Sequence, residues 1–126
     1  MDYLEWIREN ADSNARVYLT YCEENGLRAD LSWADLSGAD LSGADLSGAD
    51  LRWAVGPYTT FSAGKHSAVF CGGYGSIGCE RRSYDEWLSD FAAIGRRNGY
   101  TDDEITDYGE LIKFAVARQR RIEDAA

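Results

Sequence analysis

The chain has 126 residues, 44% of them hydrophobic, with 22 acidic against 13 basic side chains and a net charge of −9. That is enough apolar material for one globular core, and too acidic a balance for general nucleic-acid binding, which rests on Lys and Arg against phosphate. No run of about 20 apolar residues can span a bilayer, Met1-Asp2-Tyr3 opens without the basic and apolar pattern of a signal peptide, and three cysteines make no disulfide framework, so a cytoplasmic single domain over residues 1–126 is expected.

Residues 2–25 read as a helix, because Leu4, Ile7, Ala11, Ala15, Tyr18 and Cys22 recur every three or four positions and share one face. Asp12-Ser13-Asn14 is a weak point at which it can divide, and Asn25-Gly26 is a stop signal. The helix is expected to cap whatever follows. The acidity is concentrated here and just beyond: residues 1–52 hold 11 acidic and 4 basic side chains, residues 53–126 hold 11 and 9.

From Ala29 to Ala54 the chain repeats with a period of five: Ala-Asp-Leu-Ser-Trp, three copies of Ala-Asp-Leu-Ser-Gly, then Ala-Asp-Leu-Arg-Trp. Five fits neither ordinary element. On an α-helix the leucines would spiral around the axis, and on a strand successive leucines would point to opposite faces. A coil that turns a corner every five residues gathers Leu and Ala inside and leaves Asp and Ser outside, with Ser and Gly suited to the corners. Trp33 and Trp53, like Asp30 and Asp50, lie twenty residues apart and fall on one face in successive turns. Either the downstream segment packs over the two tryptophans or they form an exposed aromatic anchor.

This pattern, Ala-(Asp/Asn)-Leu-x-x, resembles the pentapeptide-repeat family. The resemblance implies a right-handed four-sided β-helix with four units per coil, and five units supply barely more than one coil. One coil cannot bury a continuous core, so the flanks or a second copy must cover its ends.

Residues 56–79 read as a small antiparallel sheet. Gly56-Pro57 closes the repeat, Tyr58–Phe61 is β-prone, Ser62–His66 is a turn, Ser67–Cys71 is a second strand, Gly72-Gly73 a tight hairpin, and Tyr74–Cys79 a third strand. Residues 80–126 read as a helix pair. Ser83 with Glu86, and Thr101 with Glu104, are capping boxes. Trp87, Phe91 and Ile94, then Ile105, Tyr108, Ile112 and Ala115, form apolar faces, and fraying is expected from Glu123 onward. Ile77-Gly78-Cys79 with Trp87 and Gly99-Tyr100 is similar to a tail on some small pentapeptide-repeat proteins of phages and bacteria. The whole is therefore expected to be α+β: a short β-helical coil (29–55) between an N-terminal helical cap (1–28), a small sheet (56–79) and a C-terminal helix pair (80–126).

Little in this chain suggests chemistry. Cys71, Cys79 and His66 lack zinc-site spacing, and no metal or cofactor is expected. Ser62–His66 lacks the glycine of a phosphate loop, and Gly72-Gly73-Tyr74-Gly75 is no dinucleotide fingerprint. Cys79 with His66 as base, and Glu80 or Asp85 as orienting carboxylate, is the enzymatic alternative. The leading expectation is a non-enzymatic binding or inhibitor protein, phage-encoded and active in a host cytoplasm against a defence system. It would bind a host protein, or sequester an anionic nucleotide at Lys65, His66, Arg81, Arg82, Arg96 and Arg97 beside a helix N-terminus. Family resemblance implies another route, in which Asp30, Asp35, Asp40, Asp45 and Asp50 form an acidic face that mimics duplex DNA and blocks a nucleic-acid enzyme. Direct binding of nucleic acid or membrane is not expected, and a homo-oligomer is.

Overall fold

A computed structural model describes residues 11–62 and 65–125, with side chains from residue 16 onward. The expected helix over 2–10, with Leu4 and Ile7, and the turn residues Ala63 and Gly64 lie outside the described residues.

Each repeat unit makes one corner by the same local chemistry. The Asp carboxylate accepts the backbone N–H two residues on, at 2.9–3.1 Å in all five units from Asp30 to Asp50. The N–H of each following Ala then bonds the Leu carbonyl three residues back, as in Ala34 to Leu31 at 3.0 Å. This is an Asx-type turn stacked on a β-turn, which is why Asp, and not any polar residue, stands at that place. After twenty residues the chain lies beside itself. Leu31 N donates to Asp50 O, Asp50 N to Ala29 O, and Trp33 N to Arg52 O, at 2.8–2.9 Å, and Asp30 and Asp35 bridge Asp50 and Val55 in parallel. Leu31, Leu36, Leu41 and Leu46 point inward and are buried.

Helix α1 (Ala11–Glu24) closes the first end of this coil. It passes through Asp12-Ser13-Asn14 unbroken and stops as expected at Asn25-Gly26, where Gly26 takes φ +64° and Leu27 N reaches back to Cys22 O at 2.8 Å. Tyr18, Leu19 and Cys22 join the coil core, and the Tyr18 hydroxyl accepts from Asp30 N at 2.8 Å.

Strands β1 (Thr59–Ser62), β2 (Ser67–Cys71), β3 (Tyr74–Ile77) and β4 (Glu80–Ser83) form an antiparallel meander. The third strand is shorter than the sequence predicts, and a fourth stands at Glu80–Ser83, where the sequence places the start of the helix pair. Gly78, at φ +57°, turns the chain after Ile77, so that Gly78-Cys79 is a two-residue hairpin loop. Helices α2 (Tyr84–Arg97) and α3 (Asp102–Asp124) follow, each with the expected capping box. None of the described helices is long and apolar enough to cross a membrane.

Alternation splits the sheet into two faces. Ala68, Phe70 and Ile77 pack with Trp87, Tyr108, Ile112 and Val116 of the helix pair, while Val69 and Cys71 pack with the coil. The coil and the helix pair thus share the sheet as a common wall. The end of α3 is no frayed tail: Glu123 accepts from Gly73 N at 3.1 Å and from the Tyr84 hydroxyl at 2.9 Å. The fully buried Gln119 accepts from the Thr59 hydroxyl at 2.8 Å and donates to Pro57 O at 3.0 Å. Together these contacts fasten the exit of the coil and the β2–β3 hairpin to one helix.

Candidate functional site

Trp33 and Trp53 stack with ring centroids 4.8 Å apart and planes 12° from parallel, yet they are 69% and 65% exposed. The downstream segment does not cover them. Both sit at a corner with positive φ, +65° and +57°, the only described non-glycine residues to do so. At the corresponding corners Gly43 and Gly48 take φ +68° and +74°. Glycine adopts this conformation without steric cost, whereas a side chain there costs about 1 kcal/mol. Two tryptophans therefore occupy places where folding favours glycine, and they leave most of their surface in water.

The five aspartates have a different role from the one their charge suggests. Residues five apart lie on successive sides of the coil, so these carboxylates ring it and do not collect on one face; only Asp30 and Asp50 lie one above the other. Asp50 is gripped by Arg52 at 2.7 Å, Asp45 lies 3.7 Å from Arg81, and Asp40 3.9 Å from Arg16. Hydrogen bonds from Ser37 hold the Asp35 carboxyl below its ordinary range, and those from Ser42 do the same for Asp40. Arg52 brings Asp50 down to about 2. Depressed carboxyl pKa values stabilise the fold above the unfolded value near 3.9 and lose that effect as pH falls through the folded value. We expect the exciton signal of the stacked tryptophans in circular dichroism to collapse between about pH 4 and pH 2. Replacing Asp35, Asp40 and Asp50 by Asn should flatten that transition; an unchanged acid profile would refute the assignment.

Residues 28–54 match the family model of pentapeptide repeats, which describes eight copies. The chain carries a pentapeptide-repeat segment. The match ends at residue 54, so the sheet and the helix pair lie outside it. No curated protein and no solved structure matches the chain.

Beyond the repeat, the structure does not bring the six basic residues together. Arg81 and Arg82 are neighbours on β4 and so face opposite sides of the sheet. Arg81 caps the coil, donating to Gly43 O at 3.0 Å, and lies 4.3 Å from the Tyr74 ring centre. Arg82 and Arg97 both hold Glu80, at 3.0 and 3.4 Å. Lys65 donates to Gly99 O at 2.9 Å and lies 3.8 Å from Glu104. His66 Nδ1 bonds the Tyr100 hydroxyl, and Arg96 is exposed in the last turn of α2.

His66 and Cys79 both border a small cavity of about 40 Å³ between the sheet and the helices. Among the described residues no hydrogen bond joins them. Glu80 is held by Arg82 and Arg97, and Asp85 by Arg120 at 2.7 Å, so neither proposed carboxylate is bonded to His66. Of the other cysteines, Cys71 is buried and its thiol is pushed up to about 12 by desolvation.

Sequence reasoning missed the arginines that terminate the coil. Arg16 donates to Ser42 O, Arg28 to Gly48 O at 2.7 Å, and Arg81 to Gly43 O. Arg28 was legible: it stands twenty residues, one full turn, before the residue whose carbonyl it covers. Tyr58 was also missed. Its hydroxyl donates to Ala54 O at 2.9 Å and its ring packs against the coil core.

Proposed function

We propose that this protein works as a non-enzymatic binding protein that inhibits or occupies another protein, and that the Trp33–Trp53 stack is its anchor. The observation that carries this reading is the placement of two exposed tryptophans at positive φ, where the neighbouring units have glycine. Tryptophan is the side chain most often found as an energetic centre of interfaces, because a large rigid surface is desolvated at little entropic cost. The stack is rigid before any partner arrives, since each ring is fixed by its neighbour and by the hydrogen-bonded turn beneath it. The coil that presents it is read as the start of a right-handed four-sided β-helix.

A host protein fits this surface better than the alternatives. Capture of an anionic nucleotide needs converging cations, and of the candidate residues Lys65, Arg81, Arg82 and Arg97 are each engaged with a carboxylate or a carbonyl. Mimicry of duplex DNA needs a long acidic face, whereas the coil is about 5 Å tall per turn and its carboxylates ring the perimeter. A defence protein of a bacterial host remains our candidate target class.

The reading is tested with a photo-crosslinking amino acid at position 33 or, as a control, at the exposed Phe114 on α3. In a lysate of the source organism or its host, we expect a discrete protein adduct from position 33 and none from 114. No adduct from 33, or the same adducts from both, would reject the anchor.

A further inference from the structure

We infer that the partner contributes an extended, basic peptide segment that adds as a further strand along the free edge of the second coil turn, over Ala49–Trp53. The inference rests on the reading of the tryptophan stack as an anchor and specifies what the anchor holds.

The edge is defined by comparison with the turn below. There Leu31 N and Trp33 N donate to the next turn, and Ala29 O accepts from it, at 2.8–2.9 Å. One turn later the equivalent groups are Leu51 N, Trp53 N and Ala49 O, and among the described residues none of the three has a hydrogen-bond partner. The edge also has an end. Ala54 O, the next acceptor, is already taken by the Tyr58 hydroxyl at 2.9 Å. What remains is a short row of donors and acceptor with the spacing of a strand partner, the arrangement used when an extended peptide augments a sheet.

There is room beside it. A cleft of about 460 Å³ opens between the coil and the outer face of the sheet, bordered by Leu46, Ala49 and Leu51 below and by Thr60, Val69 and Ser76 above. The backbone edge at Ala49 and Leu51 therefore faces space, whereas the opposite side of the coil is closed where Gly43 N bonds Gly72 O at 2.8 Å. The same hydrogen bond shows why a second complete coil cannot stack here: the β2–β3 hairpin already occupies that position.

The exposed tryptophan selects the peptide. Trp53 ends the aromatic stack and is 65% exposed, and Arg52 already lies 6.0 Å from its ring centre. An arginine on the incoming strand would extend this stack as a third planar group, held by cation–π attraction.

The probe is a synthetic peptide of alternating arginine and threonine, compared with the same peptide methylated on alternate backbone nitrogens and with a version carrying glutamate for arginine. Binding to the whole protein is followed by NMR. We expect the first peptide to protect the Leu51 and Trp53 amides from exchange. N-methylation should weaken binding roughly tenfold, because main-chain hydrogen bonds are lost at constant charge, and the glutamate version should not bind. Equal affinity for the methylated peptide, absence of protection at Leu51 and Trp53, or no binding of the arginine peptide would each overturn strand addition. If position 33 still crosslinks a protein in those cases, the anchor survives without the strand. If Trp53→Gly leaves arginine-peptide binding unchanged, the anchor itself fails.

Discussion

Replacing Gly72 with alanine is expected to cost about 3 kcal/mol or more, a fall in Tm of roughly 10 °C. Two effects combine. Gly72 has φ +60°, which alanine adopts at a cost of about 1 kcal/mol. A Cβ there would also lie 2.0 Å from Leu41 O and 2.7 Å from Gly43 N, and both are backbone atoms that no rotamer change can move. The hairpin must then lift away from the coil and break the bond from Gly43 N to Gly72 O. Gly73→Ala is the control: its φ is +94° but nothing lies within 4 Å, so it should lose only the conformational cost of about 1–2 kcal/mol. The helix side should outlast the coil in the Gly72 variant. The Trp87 indole, which donates to Gly75 O at 2.7 Å, should keep its exchange protection while the Leu31 and Leu36 amides lose theirs. Equal melting of the two glycine variants would show that the hairpin does not support the coil.

That junction marks the boundary of what the sequence made legible. The coil was readable because its cause is local: each Asp makes its own corner and each Leu its own share of core. The capping boxes at Ser83 and Thr101 were readable for the same reason, as were the stop at Gly26 and the hairpin at Gly72-Gly73. The fourth strand was missed because Glu-Arg-Arg-Ser carries no β-branched or aromatic residue, and it is a strand only because β3 offers it an edge. The local sequence predicts fraying at Glu123 because its partners, Gly73 and Tyr84, lie 50 and 39 residues away. The basic pocket failed in a similar way. Arg81 and Arg82 look like one cluster along the chain, but a strand sends neighbours to opposite faces, one to the coil and one to Glu80. The tryptophans were placed correctly on one face, while their exposure depends on where the sheet goes after Pro57, which the repeat does not encode.

Replacing Trp33 and Trp53 together by glycine is expected to abolish partner binding and leave the fold intact. Glycine removes the positive-φ cost at two corners, about 1 kcal/mol each, and loses the aromatic stack, about 0.5–1.5 kcal/mol, so the two terms nearly cancel. The variant should melt within a few degrees of the parent. Binding should respond quite differently, because truncating a central interface tryptophan typically costs 2 kcal/mol or more, about thirtyfold in Kd. Gly38, Gly43 and Gly48 already stand at the fifth place of the three central units, so the double variant is the repeat in its plainest form. If it melts far below the parent, the tryptophans serve the coil and their exposure is incidental. If it melts normally and still yields the adduct from a crosslinker moved to position 52, the partner contacts another surface. Normal melting with loss of that adduct would separate the two roles of this segment, with leucine and aspartate building the coil and tryptophan using it.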